Sequence, residues 1–152
     1  MSSFELITRI DDPLPSPARA EPPTGRGALR IGAVQCAWNS DPVGHLATLE
    51  DGIRMAAAEG ATVICLQELT LAPYFATGPD NQEAAAEFAE VVGDGPTSEF
   101  AAWMAAETGS VIHASLYEYD PDGMGFNTAI AIDPQGEILA RTRKVHIPQF
   151  SF

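Results

Sequence analysis

The sequence predicts an α/β domain built on a mixed sheet with helices packed on it, preceded by a proline-rich extension. Three observations predict it. Two apolar runs, "LRIGAVQCAW" and "ATVICL", flank a segment whose apolar residues recur every three or four positions, which is the pattern of a β-α-β unit. Three later runs are separated only by turn-forming residues, as in an antiparallel meander. A length of 152 residues fits one domain with a sizeable core.

The elements follow in order. Residues 1–28 include "DDPLPSPARAEPPTGRG", with five prolines among Ser, Gly and scattered charge. That composition cannot bury a core, so a disordered extension, or an arm draped over a partner, is expected. Globular order is expected from residue 29. Residues 29–37 are almost continuously apolar, as in a strand covered on both faces. Ser40 or Asp41 can cap a helix with Pro42 in its first turn. Val43, Leu46, Leu49, Ile53 and Ala57 then form one apolar stripe, and Gly60 stops the helix. "ATVICL" is a second buried strand, parallel to the first because the crossover is right-handed.

The Ala- and Glu-rich stretch 78–92 is expected to be partly helical and to break at "GDGP". A further helix is expected from Thr97 to Thr108, with Phe100, Trp103, Met104 and Glu107 in one angular sector and Gly109 at its end. "SVIHASLYEY", "FNTAIAID" and "EILARTRKV" are the strands of the meander, joined by turns at "DPDGMG" and "PQG". The glycine pairs "GDG" and "GMG" sit where turns are needed and do not extend to a phosphate-binding loop. The chain holds no internal repeat.

Eight basic residues against twenty-one acidic ones give a net charge of −13. Such a surface repels phosphate backbones and anionic lipid, so nucleic acid and membrane are not expected partners. No apolar run approaches the length of a membrane span. "MSSFELITRIDD" lacks the basic start and apolar stretch of a secretion signal, so a cytoplasmic location is expected. Cys36 and Cys65 lie in apolar strand-like runs and are expected to be buried, reduced thiols rather than a disulfide. His45, His113 and His146 lie far apart without ligand spacing, so no metal is expected.

Two charged residues stand out. Glu68 interrupts "VICLQELTLAPYF" just past the second strand, where open α/β sheets place their ligands. Its local pattern also suits a strand-end carboxylate turned to solvent. The apolar collar "LTLAPYF" favours a semi-buried group, and burial suits a carboxylate to general-base work. Lys144 lies in "ARTRKVHIP", three cations in four positions in a chain poor in cations. Alternation puts Arg141 and Arg143 on one face and Lys144, with Thr142, on the other. The cluster reads either as a solvated strand end or as an ammonium aimed at developing negative charge.

Glu68 and Lys144, with "LRIGAVQ", "VICLQELTLAPYF" and "FNTAIAIDPQGEILARTRKVHIP" in this order, resemble the N-terminal part of the nitrilase (carbon–nitrogen hydrolase) superfamily over residues 29–148. The wording is most similar to the N-carbamoylputrescine amidohydrolase and β-ureidopropionase branch. The resemblance implies an αββα sandwich of the nitrilase type, of which residues 29–152 hold the N-terminal portion only. It implies a Glu–Lys–Cys triad, with Glu68 as general base and Lys144 at the oxyanion. The substrate would be a small amide or ureido compound, and no cofactor is needed. His146 and Tyr74 are the implied neighbours of the substrate.

The family's cysteine lies after a further strand, beyond "PQFSF", and neither Cys36 nor Cys65 matches its position. This chain is therefore expected to carry the base and the ammonium without the thiol, and to be inactive alone. Loss of a coupled nucleophile costs on the order of a million-fold in turnover. The missing half also implies an unpaired sheet edge and an uncovered apolar face. The expected partners are then a second copy of the chain or a complementing C-terminal chain. The alternative is a non-catalytic module that pairs through that exposed face.

Overall fold

A computed structural model describes residues 4–8, 25, 29–75, 85–122 and 125–146. Its strands are β1 (Ile31–Ala33), β2 (Val63–Cys65), β3 (Ala89–Glu90), β4 (Val111–Tyr119), β5 (Gly125–Ile132) and β6 (Ile138–Arg143). Its helices are α1 (Pro42–Ala58) and α2 (Pro96–Thr108). The sheet runs β1-β2-β4-β5-β6, with β3 pairing β4 off this path. β1, β2 and β4 are parallel, and β4, β5 and β6 form the antiparallel meander. This is the mixed sheet that the hydrophobic pattern predicts.

Alternation along the strands divides the sheet into two unlike faces. Ile64, Leu66, Ile112, Ala114, Leu116, Ile130 and Ile132 are buried in one cluster with Leu49 and Ile53 of α1 and Phe100 and Met104 of α2. The residues between them, Val63, Cys65, Val111, His113, Ala129 and Ala131, are only half-buried. Helices thus cover one face, and the other carries mostly apolar side chains with His113 among them.

Several expectations need correction. β1 is not covered on both faces: among the described residues it is a three-residue edge strand that pairs only with β2, and Ile31 is 61 % exposed. Asp41 caps α1, its carboxylate accepting from Val43 N–H and Gly44 N–H. The buried face of α1 is His45, Leu49, Gly52 and Ile53. Val43 stands outside it, because two residues before His45 it lies about 200° around the helix from that buried side chain. A Cβ at Gly52 would meet Val34 at 2.6 Å and Phe4 at 3.0 Å. Glycine here lets Phe4 of the N-terminal extension pack on the core. Most of residues 1–28 lie outside the described residues.

Within 78–92, residues 85–87 form a helical turn and Ala89–Glu90 are extended on β4, while 78–84 lie outside the described residues. The reason is a cap. Gly95 at the N-terminus of α2 has no side chain to offer, and Glu90 supplies the acceptors, Oε2 for Thr97 N–H at 2.8 Å and Oε1 for Thr97 Oγ1 at 2.6 Å. Trp103 and Glu107 do not face the core with Phe100 and Met104. Both turn to Arg54 of α1, which lies 6.0 Å over the Trp103 ring and 2.6 Å from Glu107 Oε1. Gly109 ends α2 in the left-handed conformation, φ 68°.

Candidate active site

Glu68 follows β2, and the chain around it is clamped to β4. Thr70 N–H donates to Ser115 O at 2.8 Å, and Ser115 N–H donates to Thr70 Oγ1 at 3.0 Å. Leu69 N–H donates to Ser115 Oγ at 3.2 Å. Thr70 Oγ1 donates to Gln67 O at 3.0 Å. His45 Nε2 lies 2.9 Å from Thr70 O; a carbonyl only accepts, so this nitrogen carries the proton. Leu69 holds φ 52°, the left-handed region, among the described residues the non-glycine exception. A leucine adopts it only where its surroundings impose it, and such strain concentrates at functional sites.

The reversal sends Leu69, Thr70 and Ala72 into the core and leaves Glu68 at the rim. The expectation of a semi-buried carboxylate is therefore corrected: the Glu68 side chain is 38 % exposed.

On the other side of the sheet, the register that pairs Thr128 with Arg143 brings Lys144 opposite Asn127, and Lys144 N–H donates to Asn127 O at 2.8 Å. Lys144 Nζ lies 2.5 Å from Glu68 Oε1, and Asn127 Nδ2 donates to the same oxygen at 2.6 Å. Oε2 is the oxygen that neither donor holds. The hydrogen bond to Glu68 raises the Lys144 pKa above the usual lysine value, against a smaller loss of hydration, with the charges of Glu68 and Tyr74 adding to the rise. Tyr74 is thus close enough to act on the ammonium, and it is exposed. His146 is exposed; among the described residues it makes no hydrogen bond with either member of the pair.

The two thiols are free and half-buried. Burial pushes the Cys36 pKa up, against a hydrogen bond from Gln67 Nε2 at 3.5 Å. Burial pushes Cys65 up too. Among the described residues neither bonds to Glu68 or Lys144. No group of three His, Cys, Asp or Glu there could hold a metal ion. No helix among them is long and apolar enough to cross a membrane.

Arg141 and Arg143 engage Glu118 on the opposite face of the meander, as alternation requires. Glu118 is buried and also accepts from Thr128 Oγ1 at 2.7 Å. The Arg143 hydrogen bond, helped by Thr128 and Arg141 and opposed by burial, lowers its pKa to about 2.

Asn127, Thr70, Ser115, His45 and Glu118 escape a reading of single segments. Asn127 carries no local signal: counting back through the "PQG" turn pairs it with Arg143, and the register shift between Ala131 and Ile132 moves its partner to Lys144.

The carbon-nitrogen hydrolase profile matches residues 30–151. The chain belongs to this family. Among the carbon-nitrogen hydrolases, N-carbamoylputrescine amidase of Solanum lycopersicum is 32% identical over 120 residues, covering 79% of this chain and 39% of that protein. Beta-ureidopropionase of Arabidopsis thaliana is 35% identical over 100 residues, 64% of this chain and 24% of that protein. The crystal structure of a Saccharomyces cerevisiae protein, a member of branch 10 of the nitrilase superfamily, matches with a TM-score of 0.65 at 22% identity, over 78% of this chain and 44% of that one. The mixed sheet with its helices is therefore a nitrilase-type fold in part. The chain spans less than half the length of these relatives.

Proposed function

We propose that Glu68 and Lys144 are the base and the ammonium of a carbon–nitrogen bond hydrolase. Its substrate class is an N-carbamoyl amine, an N-carbamoyl amino acid or a small amide, and its nucleophile is a cysteine on a stretch of polypeptide other than this one. The 2.5 Å contact between Lys144 Nζ and Glu68 Oε1 carries the reading. Two segments far apart in sequence place an acceptor and a fixed cation together at a rim. We do not assign Cys36 or Cys65 as the nucleophile, because among the described residues neither is hydrogen-bonded to Glu68 or Lys144.

In the reaction, Glu68 takes the proton of the incoming thiol and the thiolate attacks the amide or ureido carbonyl carbon. Lys144 stabilises the oxyanion of the tetrahedral intermediate. As that intermediate collapses, the carbon–nitrogen bond breaks and ammonia leaves with the proton held by Glu68. Water then gives a proton to Glu68 and attacks the thioester or thiocarbamate, and the thiol is regenerated with the proton returned. Each half of the cycle leaves Glu68 ionised.

The test is hydrolysis of N-carbamoylputrescine, N-carbamoyl-β-alanine and simple amides by the chain alone and by a completed enzyme, in which a cysteine-bearing C-terminal portion is fused or supplied. Ammonia release is expected only from the completed enzyme and is abolished by alkylation of its cysteine. Turnover by the chain alone that survives thiol alkylation overturns the mechanism.

A second reading is a non-catalytic module that pairs through its exposed face. Ile138 and Leu139 on β6, and Val145 just past it, are exposed, which favours this reading. Sedimentation decides it: a concentration-independent monomer defeats pairing with a second copy.

A further inference from the structure

We infer that Asn127 is the positioning residue of this site, holding the base in place while the lysine is engaged elsewhere. The inference rests on the proposed roles of Glu68 and Lys144 and assigns a third residue to them. In that reaction Lys144 has two duties that compete. At rest its ammonium is bonded to Glu68 Oε1. In the tetrahedral intermediate the same ammonium must turn toward the oxyanion, and its hold on the carboxylate weakens. A base fixed by Lys144 alone would become free to rotate at the moment its proton must return to the leaving nitrogen.

Asn127 removes that conflict. Its Nδ2–H donates to Oε1 at 2.6 Å, so the carboxylate keeps a donor when Lys144 moves. An uncharged donor is suited to this role, because it orients the carboxylate without the full field of a second cation and stays protonated at every working pH. Both donors take Oε1, so they fix the carboxylate plane and leave Oε2 for proton transfer. The Asn127 main chain does a second job: its carbonyl accepts Lys144 N–H at 2.8 Å, which sets the root of the lysine beside the base. Asn127 is itself fixed, being paired with Tyr117 across β4 and β5, and the Tyr117 ring packs edge-on against Phe75 with centroids 5.1 Å apart. Its place is a rigid interior strand, while Glu68 and Lys144 both lie just past strand ends.

Two variants separate the amide from the main chain, since each keeps the backbone carbonyl. N127D keeps the shape and replaces the donor with a charge that repels Glu68, and N127L removes the donor and adds no charge. The first readout uses the chain as it stands: carboxyl-carbon NMR of Glu68 at neutral pH, assigned with E68Q. Both variants are expected to move the Glu68 carboxyl signal away from its place in the parent. Signals that superimpose on the parent's, in variants with parent-like methyl spectra, overturn the inference. The second readout is the completed enzyme, where N127L is expected to lower kcat about tenfold and leave KM within about twofold, as removal of a contact made only along the reaction path does. A rise in KM with kcat unchanged overturns it in favour of a substrate contact. If the parent completed enzyme hydrolyses none of the test substrates while the NMR shifts appear, the functional reading fails and Asn127's control of Glu68 stands.

Discussion

Lys144 Nζ lies 2.5 Å from Glu68 Oε1 although 76 residues separate them along the chain. Glu68 is delivered by the parallel half of the sheet and Lys144 by the antiparallel half, so the pair exists only when the β-α-β unit and the meander share one sheet. Both side chains are more than a third exposed. An ion pair so placed contributes about 0–1 kcal/mol, too little to explain it as a device of stability.

Substitution at this pair should therefore remove activity and spare the fold. In the completed enzyme K144M is expected to lower kcat on the order of 10²–10³-fold, as loss of one oxyanion donor does. E68Q should cost at least about 10²-fold, as loss of a general base does. Thermal melts of both variants of the chain should lie within a few degrees of the parent, by the ~0–1 kcal/mol scale of exposed pairs. A large drop in melting temperature with unchanged turnover per folded molecule would contradict the assignment.

Thr70 is the opposite case, a residue that acts through the fold. It is fully buried, and its hydroxyl both donates to Gln67 O and accepts from Ser115 N–H. T70V keeps the shape and strands both groups away from water, which should destabilise the chain by about 2–3 kcal/mol. Urea unfolding should show a lower midpoint with the slope unchanged. Glu68 directly precedes the strained Leu69 that this clamp holds at φ 52°, so activity of the completed enzyme should fall as well.

Much of this was legible in the residue pattern. Turn chemistry marked the meander, since "PQG" puts Gly136 at φ 85° and Asp133 Oδ1 accepts from the Gln135 and Glu137 N–H groups at 2.9 Å. The opposite facing of Arg141 and Arg143 against Lys144 followed from the strand period. What local pattern could not carry was long-range pairing. Val43 fits the helical stripe by spacing and is exposed because the buried face of α1 runs through His45, Leu49 and Ile53, with Val43 on the far side of the helix from His45. Glu90 reads as part of a helix and becomes the cap of the next one, a role set by a residue seven positions away. Glu68 stands in an apolar collar yet reaches the rim, because burial of its neighbours turns the backbone outward rather than enclosing it.

The cysteines give a chemical test of the proposed nucleophile's place. Burial raises both thiols above the ordinary value of 9.0. Their thiolate fraction at pH 7 is then below about one part in a hundred, since each unit between pH and pKa is a factor of ten. Iodoacetamide should label Cys36 and Cys65 slowly at pH 7 and faster as the pH rises, read by mass spectrometry of the chain. The double variant C36S/C65S should leave turnover by the completed enzyme unchanged. Loss of turnover with the fold intact would place one of these thiols in the chemistry.

Glu118 should govern the acid limb of stability. Its pKa is about 2 in the folded chain against an ordinary 4.5. A depressed carboxylate stabilises the fold fully above its unfolded pKa and loses that contribution as pH falls through the folded one. The window is therefore from about 4.5 down to about 2. The full shift would correspond to roughly 3 kcal/mol at 1.36 kcal/mol per unit. Arg141 and Arg143 are 44% and 41% exposed, and water around them screens the pairing. About 2 kcal/mol is the expected contribution at neutral pH once that screening is allowed for. E118Q should lose it at pH 7 and should converge on the parent at the acid end, because protonation of the parent has by then removed the same interaction. Parallel stability–pH curves for the two proteins would show that the Glu118 cluster holds its geometry without its charge.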